Sequence, residues 1–186
     1  MTLLIAGLVL FLGIHLLPSI KPLRNGLHDA LGAKTYKLAF TAVSVVGLIL
    51  IVMGFGRAPF EPVYAPFPWA RGAAHAIMPV VFILLAAANM PGKIRQTLRH
   101  PMLIAVILWS AVHLAANGDA RSIALFGSFG VFALIALVTA SMDGRVLPNK
   151  KPVHPKFDGM AIGGGLILYA VVMFAHPWLF GVAVTG

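Results

Sequence analysis

The chain has 186 residues, of which 60% are hydrophobic and 10% charged, against about 25% charged in an ordinary soluble domain. With a mean hydropathy of +0.94, that composition excludes a soluble globular domain and places the chain among membrane proteins. The net charge is +9 and there is no cysteine, so disulfides, thiolate metal sites and cysteine nucleophiles are excluded. The basic residues lie in short segments between apolar runs, the pattern of topology signals rather than of a nucleic-acid surface.

A spanning helix needs about 20 mostly apolar residues. Six segments qualify, at 2–20, 38–55, 72–90, 101–117, 122–141 and 160–180. They predict an all-α fold, a polytopic bundle of six transmembrane helices forming one domain over 1–186. The first segment has no basic stretch before it and no small-residue cleavage site after it, so it reads as a retained span rather than a signal peptide. Period-2 alternation of a β-barrel is missing.

The segments between the spans orient the bundle. The first holds Lys21, Arg24, Lys34 and Lys37, the third Lys93, Arg95 and Arg99, and the fifth Arg145, Lys150, Lys151 and Lys156. The even-numbered ones hold only Arg57, Arg71 and Arg121. The odd segments are therefore expected on the cytoplasmic side, with both termini periplasmic in a bacterial inner membrane. The second segment, 57–71, carries four prolines, which forbid a regular helix. Its Phe60, Tyr64, Phe67 and Trp69 suit either an interfacial aromatic belt or a lid over an outer site. Gly127, Gly130 and Gly163 to Gly165 allow close helix packing, or room for a flat cofactor.

The chemistry-bearing residues are few. Asp29, Glu61, Asp119, Asp143 and Asp158 all fall between predicted spans, which argues against a carboxylate relay inside the membrane. No Ser-His-Asp spacing, His-Glu-x-x-His or phosphate loop is present, so hydrolysis and nucleotide chemistry are not expected. Seven histidines remain. His28 and His154 lie in cytoplasmic segments, His100 precedes the first residue of the fourth span, and His75 and His176 lie near outer helix ends.

His15 and His113 sit inside apolar runs. An ionisable residue there is either a functional group or a neutral histidine bonded between helices. Two imidazoles with no cysteine or buried carboxylate suit haem iron better than zinc, because haem brings four ligands of its own. Trp109, His113 and Asn117 recur every four residues and share one helix face. Trp109 there can stack on a ring and Asn117 can orient an imidazole. The levels do not match at first sight. His113 lies roughly 18 Å beyond Pro101, in the outer half, and His15 roughly 9 Å from Lys21, in the inner half. His113 could instead pair with His75 or His176.

The run Arg99-His100-Pro101-Met102-Leu103, with Leu108-Trp109-Ser110-Ala111-Val112-His113-Leu114-Ala115-Ala116-Asn117-Gly118-Asp119, resembles the NnrU family of bacterial membrane proteins. So do Arg57-Ala58-Pro59-Phe60, Pro68-Trp69-Ala70-Arg71 and Gly32-Ala33-Lys34-Thr35-Tyr36-Lys37, so the likeness covers nearly the whole chain. That family is in turn similar to plant 15-cis-zeta-carotene isomerase. The resemblance implies b-type haem with His15 and His113 as axial ligands, and places His100 and His176 on matching His-Pro positions. It implies a redox role linked to nitrogen-oxide metabolism or a cis-trans isomerase of a polyene. The expected partners are lipid, an apolar substrate or redox partner, and a second copy in an oligomer. Ser110, where the plant enzyme has cysteine, and Ser128 and Phe129, where it has histidines, make haem binding the stronger implication. A third reading from the residues is a non-catalytic assembly or transport protein.

Overall fold

The computed structural model describes residues 1–142, 153–182 and 184. Arg145, Lys150, Lys151 and Asp143 lie outside them. Among the described residues the fold is all helical. The helices are α1 (Thr2–Leu16), α2 (Lys21–Arg57), α3 (Ala70–Ala87), α4 (Lys93–Leu98), α5 (Pro101–Ala116), α6 (Ala120–Met142) and α7 (Lys156–Phe180). A 3-10 turn, Leu17–Ser19, joins α1 to α2. In hydrocarbon the backbone must bond to itself, and helices do this within one segment.

Five helices, α1 with its 3-10 turn, α2, α3, α6 and α7, are long and apolar enough to cross a membrane. The predicted fourth span forms α5, which is apolar but only 16 residues long. It stops early because Asn117 turns extended (φ −134°, ψ 114°). The stretch 21–37, expected as a loop, is helical and belongs to α2. Its charged residues with Pro22 and Gly26 made it read as a loop, yet it forms helix on either side of a kink at Gly32. Asp158, expected between spans, lies in the first turn of α7. There its carboxylate accepts the backbone N–H groups of Lys93 and Ile94, both at 2.9 Å, and ties α4 to α7.

The main contacts run in one series, α2 to α1, α1 to α6, α6 to α5, α5 to α3 and α3 to α7. One apolar centre is Leu4, Leu8 and Ile51, backed by Phe11, Leu125 and Phe129. The other is Val81, Leu84 and Ala105, backed by Leu108 and Trp109. Outward-facing side chains such as Leu38, Val52, Val131 and Ile167 are more than half exposed, as lipid-facing residues are. Glycines set the closest approaches. A Cβ on Gly7 would lie 2.6 Å from Ile51 N, and one on Gly165 2.6 Å from Ile83 Cα. A Cβ on Gly130 would press on Ser110, whereas those on Gly127, Gly163 and Gly164 would meet nothing within 4 Å.

This contrast yields a paired test. Gly165→Ala forces α7 off α3 and is expected to cost about 1–3 kcal/mol, the usual range for overpacking. Gly163→Ala, two residues earlier and facing open space, is expected to leave the melting temperature in detergent unchanged or slightly raised, since Ala favours a helix over Gly by up to about 1 kcal/mol. Equal melting of the two variants would show that the α3–α7 contact is not set by backbone approach.

Candidate functional site: histidines, aromatic rings and a strap

The four histidines expected in or near the spans fall into two classes by hydrogen bonding. His15 Nδ1–H donates to the carbonyl of Phe11 at 2.6 Å, one turn back in α1. His113 Nδ1–H donates to the carbonyl of Trp109 at 2.8 Å, in the same way in α5. His176 Nδ1–H donates to the carbonyl of Val182 at 2.7 Å. In each, a carbonyl holds the proton on Nδ1, so Nε2 carries the lone pair. Metal-binding histidines are commonly oriented by such a backbone carbonyl. His75 differs. Its Nε2–H donates to Val184 O at 3.0 Å, and Tyr169 OH donates to Nδ1 at 3.4 Å. Both nitrogens of His75 are used, which leaves it no lone pair for a ligand.

Aromatic rings pack around the two central imidazoles. His15 neighbours Phe11 (centroids 4.3 Å apart), Phe40 (5.2 Å) and Phe132 (6.4 Å). His113 stacks on Phe126 at 4.6 Å and tilts against Trp109 at 5.2 Å. Phe129 joins the neighbourhoods, 5.8 Å from Phe11 and 5.7 Å from Trp109. The levels can be read along α6. Phe126 marks His113 and Phe132 marks His15, six residues and about 9 Å of rise apart. The structure therefore links His15 and His113 through Phe11, Phe129 and Trp109 rather than by direct ring contact.

Asn117 behaves differently from expectation. Its Nδ2 donates to the carbonyl of His113 at 2.8 Å, so it anchors the backbone of the helix end and not the imidazole. His100 is the N-cap residue of α5, and its carbonyl accepts the N–H groups of Leu103 and Ile104. Arg99 before it takes a positive φ of 59°. A groove of about 420 Å³ lies between α1 and α6, lined by Leu12, Leu16, Gly127, Ser128, Val131 and Phe132, beside His15. Among the described residues no three His, Asp or Glu side chains group as ligands of one metal ion.

Segment 58–69 is a strap over the C-terminal end of α5, one turn from His113. Gly118 O accepts the N–H groups of Val63 (2.7 Å) and Tyr64 (3.0 Å), and Ala115 O accepts that of Phe67 (3.0 Å). Glu61 O accepts the N–H of Ala120 at 2.8 Å. Tyr64 OH reaches inward to the carbonyls of Leu114 and Asn117. A Cβ on Gly118 would collide with Tyr64 O, so the glycine is required by the strap itself. Phe60, Phe67 and Trp69 point outward, 66%, 49% and 60% exposed. The segment thus bonds to the end of α5 through Tyr64 and its backbone and leaves its other aromatic rings exposed. An open groove of about 540 Å³ lies where the strap meets the end of α5, bordered by Tyr64, Asn117 and Asp119.

Sequence reasoning left out the clasp at this corner. Asp119 is 4% exposed. Its carboxylate accepts the N–H (3.1 Å) and hydroxyl (2.7 Å) of Ser122, capping α6, and pairs with Arg121 Nε at 3.4 Å. Arg121 Nη1 donates to the carbonyls of Phe55 (3.4 Å) and Ala58 (3.3 Å) and lies over the Phe55 ring at 5.0 Å. The Asp before an apolar run was a readable capping signal. The contacts of Arg121 with α2 had no local signature.

Compared with known families, the chain matches NnrU protein over residues 3–184. The chain belongs to the NnrU family. No curated protein and no solved structure matches it. The matched stretch of this NnrU-family chain takes in all seven described helices, the strap and the histidines described above.

Tyr64→Phe removes the inward hydrogen bonds of the strap, a loss of about 1 kcal/mol. Trypsin cleavage at Arg57 or Arg71 in the native protein is then expected to speed up about fivefold, because such cleavage follows the open population. An unchanged rate would show that the strap is held by its backbone bonds alone.

Proposed function

We propose that this NnrU-family protein is an integral membrane haem b protein of the bacterial inner membrane, with His15 and His113 as axial ligands. One observation supports it above the others. Both buried-run histidines hold their proton on Nδ1 through their own helix and leave Nε2 basic, among aromatic rings that suit a flat macrocycle. The donor set fits haem, since two neutral imidazoles are what low-spin iron takes. Haem, when bound, supplies one-electron redox chemistry at iron. The chain's own part is to fix the tautomers, exclude water with Phe11, Phe126, Phe129 and Trp109, and close the outer end with the strap. For one iron to join His15 and His113, the contact of Phe11 with Phe129 has to part. A redox role in nitrogen-oxide metabolism follows from this reading, with a redox partner in or at the membrane.

The proposed topology is six crossings with both termini in the periplasm. The described basic residues support it: Lys21, Arg24, Lys34, Lys37, Lys93, Arg95, Arg99 and Lys156 fall at the end held by Asp158, against Arg57, Arg71 and Arg121 at the strap end. The 16-residue α5 crosses when the strap and its cap extend it toward the interface.

A second pairing, His113 with His176, is favoured by the Nδ1 proton of His176, held by Val182 O as that of His113 is by Trp109 O, which leaves Nε2 of each with a lone pair. One experiment separates the two. Protein purified in mild detergent, oxidised and then reduced, is expected to show a Soret band with sharp reduced α and β bands, and His113→Ala to abolish them. Loss of low-spin character in His15→Ala with retention in His176→Ala selects His15; the reverse selects His176. A featureless spectrum in the unaltered protein after haemin is added overturns the haem assignment.

A further inference from the structure

Residues 21–31, at the start of α2, stand apart from the bundle. At Gly32 the backbone leaves the helical region (φ 75°, ψ 158°), an angle that glycine adopts without strain. A Cβ there would meet nothing within 4 Å. Gly32 divides α2 into the spanning part, 33–57, and a shorter helix, 21–31, joined at an elbow. His28 and Tyr36 make ring contact across the elbow, centroids 5.7 Å apart.

The short helix is amphipathic. Leu23, Leu27 and Leu31 recur every four residues and share a face with Ala30, while Lys21, Arg24, Asn25, His28 and Asp29 occupy the other. Leu23 is 48% and Leu31 44% exposed, and the adjoining Ile20 53%. A helix this short is marginal in water by itself. A bare leucine face on it needs an apolar cover.

Two observations identify the cover. The helix lies between two spans, α1 with its 3-10 turn before it and 33–57 after it, so both its ends are held at a membrane boundary. Arg24, Lys34 and Lys37 are exposed along it and just past the elbow, with Asp29 the one acidic residue among them. Lys93 and Arg99 are exposed at the same end of the bundle. We propose that 21–31 lies flat in the headgroup layer of an anionic leaflet, its leucines in the acyl boundary and Arg24, Lys34 and Lys37 against lipid phosphates. Apolar burial and attraction to anionic lipid act together in such a helix. This surface is independent of the haem reading, and its test does not involve haem.

Because the chain has no cysteine, Leu27→Cys or Asn25→Cys places one nitroxide label on the full-length protein. In bilayers of phosphatidylcholine mixed with phosphatidylglycerol, the Leu27→Cys label is expected to be relaxed several-fold more by oxygen than by a water-soluble nickel chelate. The Asn25→Cys label is expected to show the opposite preference. In phosphatidylcholine alone, or with Arg24, Lys34 and Lys37 all changed to Gln, the oxygen preference at Leu27→Cys is expected to shrink. Equal relaxation of both labels by the nickel chelate overturns the proposal. Spin–spin broadening between labels also overturns it, because the leucine face then belongs to a second copy. An oxygen preference insensitive to headgroup charge overturns the assignment to an anionic leaflet.

Discussion

Lipid gives one apolar helix no hydrophobic reason to prefer another, so close backbone approach has to hold the bundle. Here that constraint falls on a few glycines. Gly7 and Gly54 let α1 and α2 touch along their backbones, Gly130 seats Ser110 of α5 on α6, and Gly165 seats α7 on α3. The two apolar centres form around these contacts rather than around bulky residues alone. Large side chains are left free to face lipid, and aromatic ones to gather between α1, α5 and α6. The histidine neighbourhood is a product of this division.

Within that neighbourhood the helices do chemical work on the imidazoles. An i−4 carbonyl accepts the Nδ1 proton of His15 and of His113, so each helix sets the tautomer of its own histidine. The strap and the Asp119–Arg121 clasp then fix where α5 ends and α6 begins. Since Asn117 holds the carbonyl of His113, the last turn of α5 and the strap are one hydrogen-bonded unit. The position of His113 therefore depends on residues fifty places earlier in the chain.

How much of this the sequence reveals depends on the range of the interaction. Continuous apolar runs made the spanning segments readable, since hydropathy is local. The helix at 21–31 was hidden because Pro22, Gly26 and its charged residues interrupt the run, although the leucine spacing was present. The histidines stood out because they break apolar stretches, and Trp109 and Asn117 shared a readable face with His113. The engagement of both nitrogens of His75 was not readable, as it depends on Tyr169 and Val184 far along the chain. The hold of Tyr64 on α5 was hidden for the same reason. The level difference between His15 and His113 was foreseeable from helix rise, but the rings filling the space between them were not.

The linear order of the helices bears on how the protein is made. During synthesis α1 and α2 can pair as soon as both have emerged, and α6 can join α1 and α5 directly. The chain then leaves α6 and enters the row again two helices away, where α7 docks on α3. The flank of α3 must stay open in the bilayer until the last helix is inserted. A ribosome that stops before α7 leaves a row complete at the histidine side and unsealed along α3, where Gly165 would have seated the last helix.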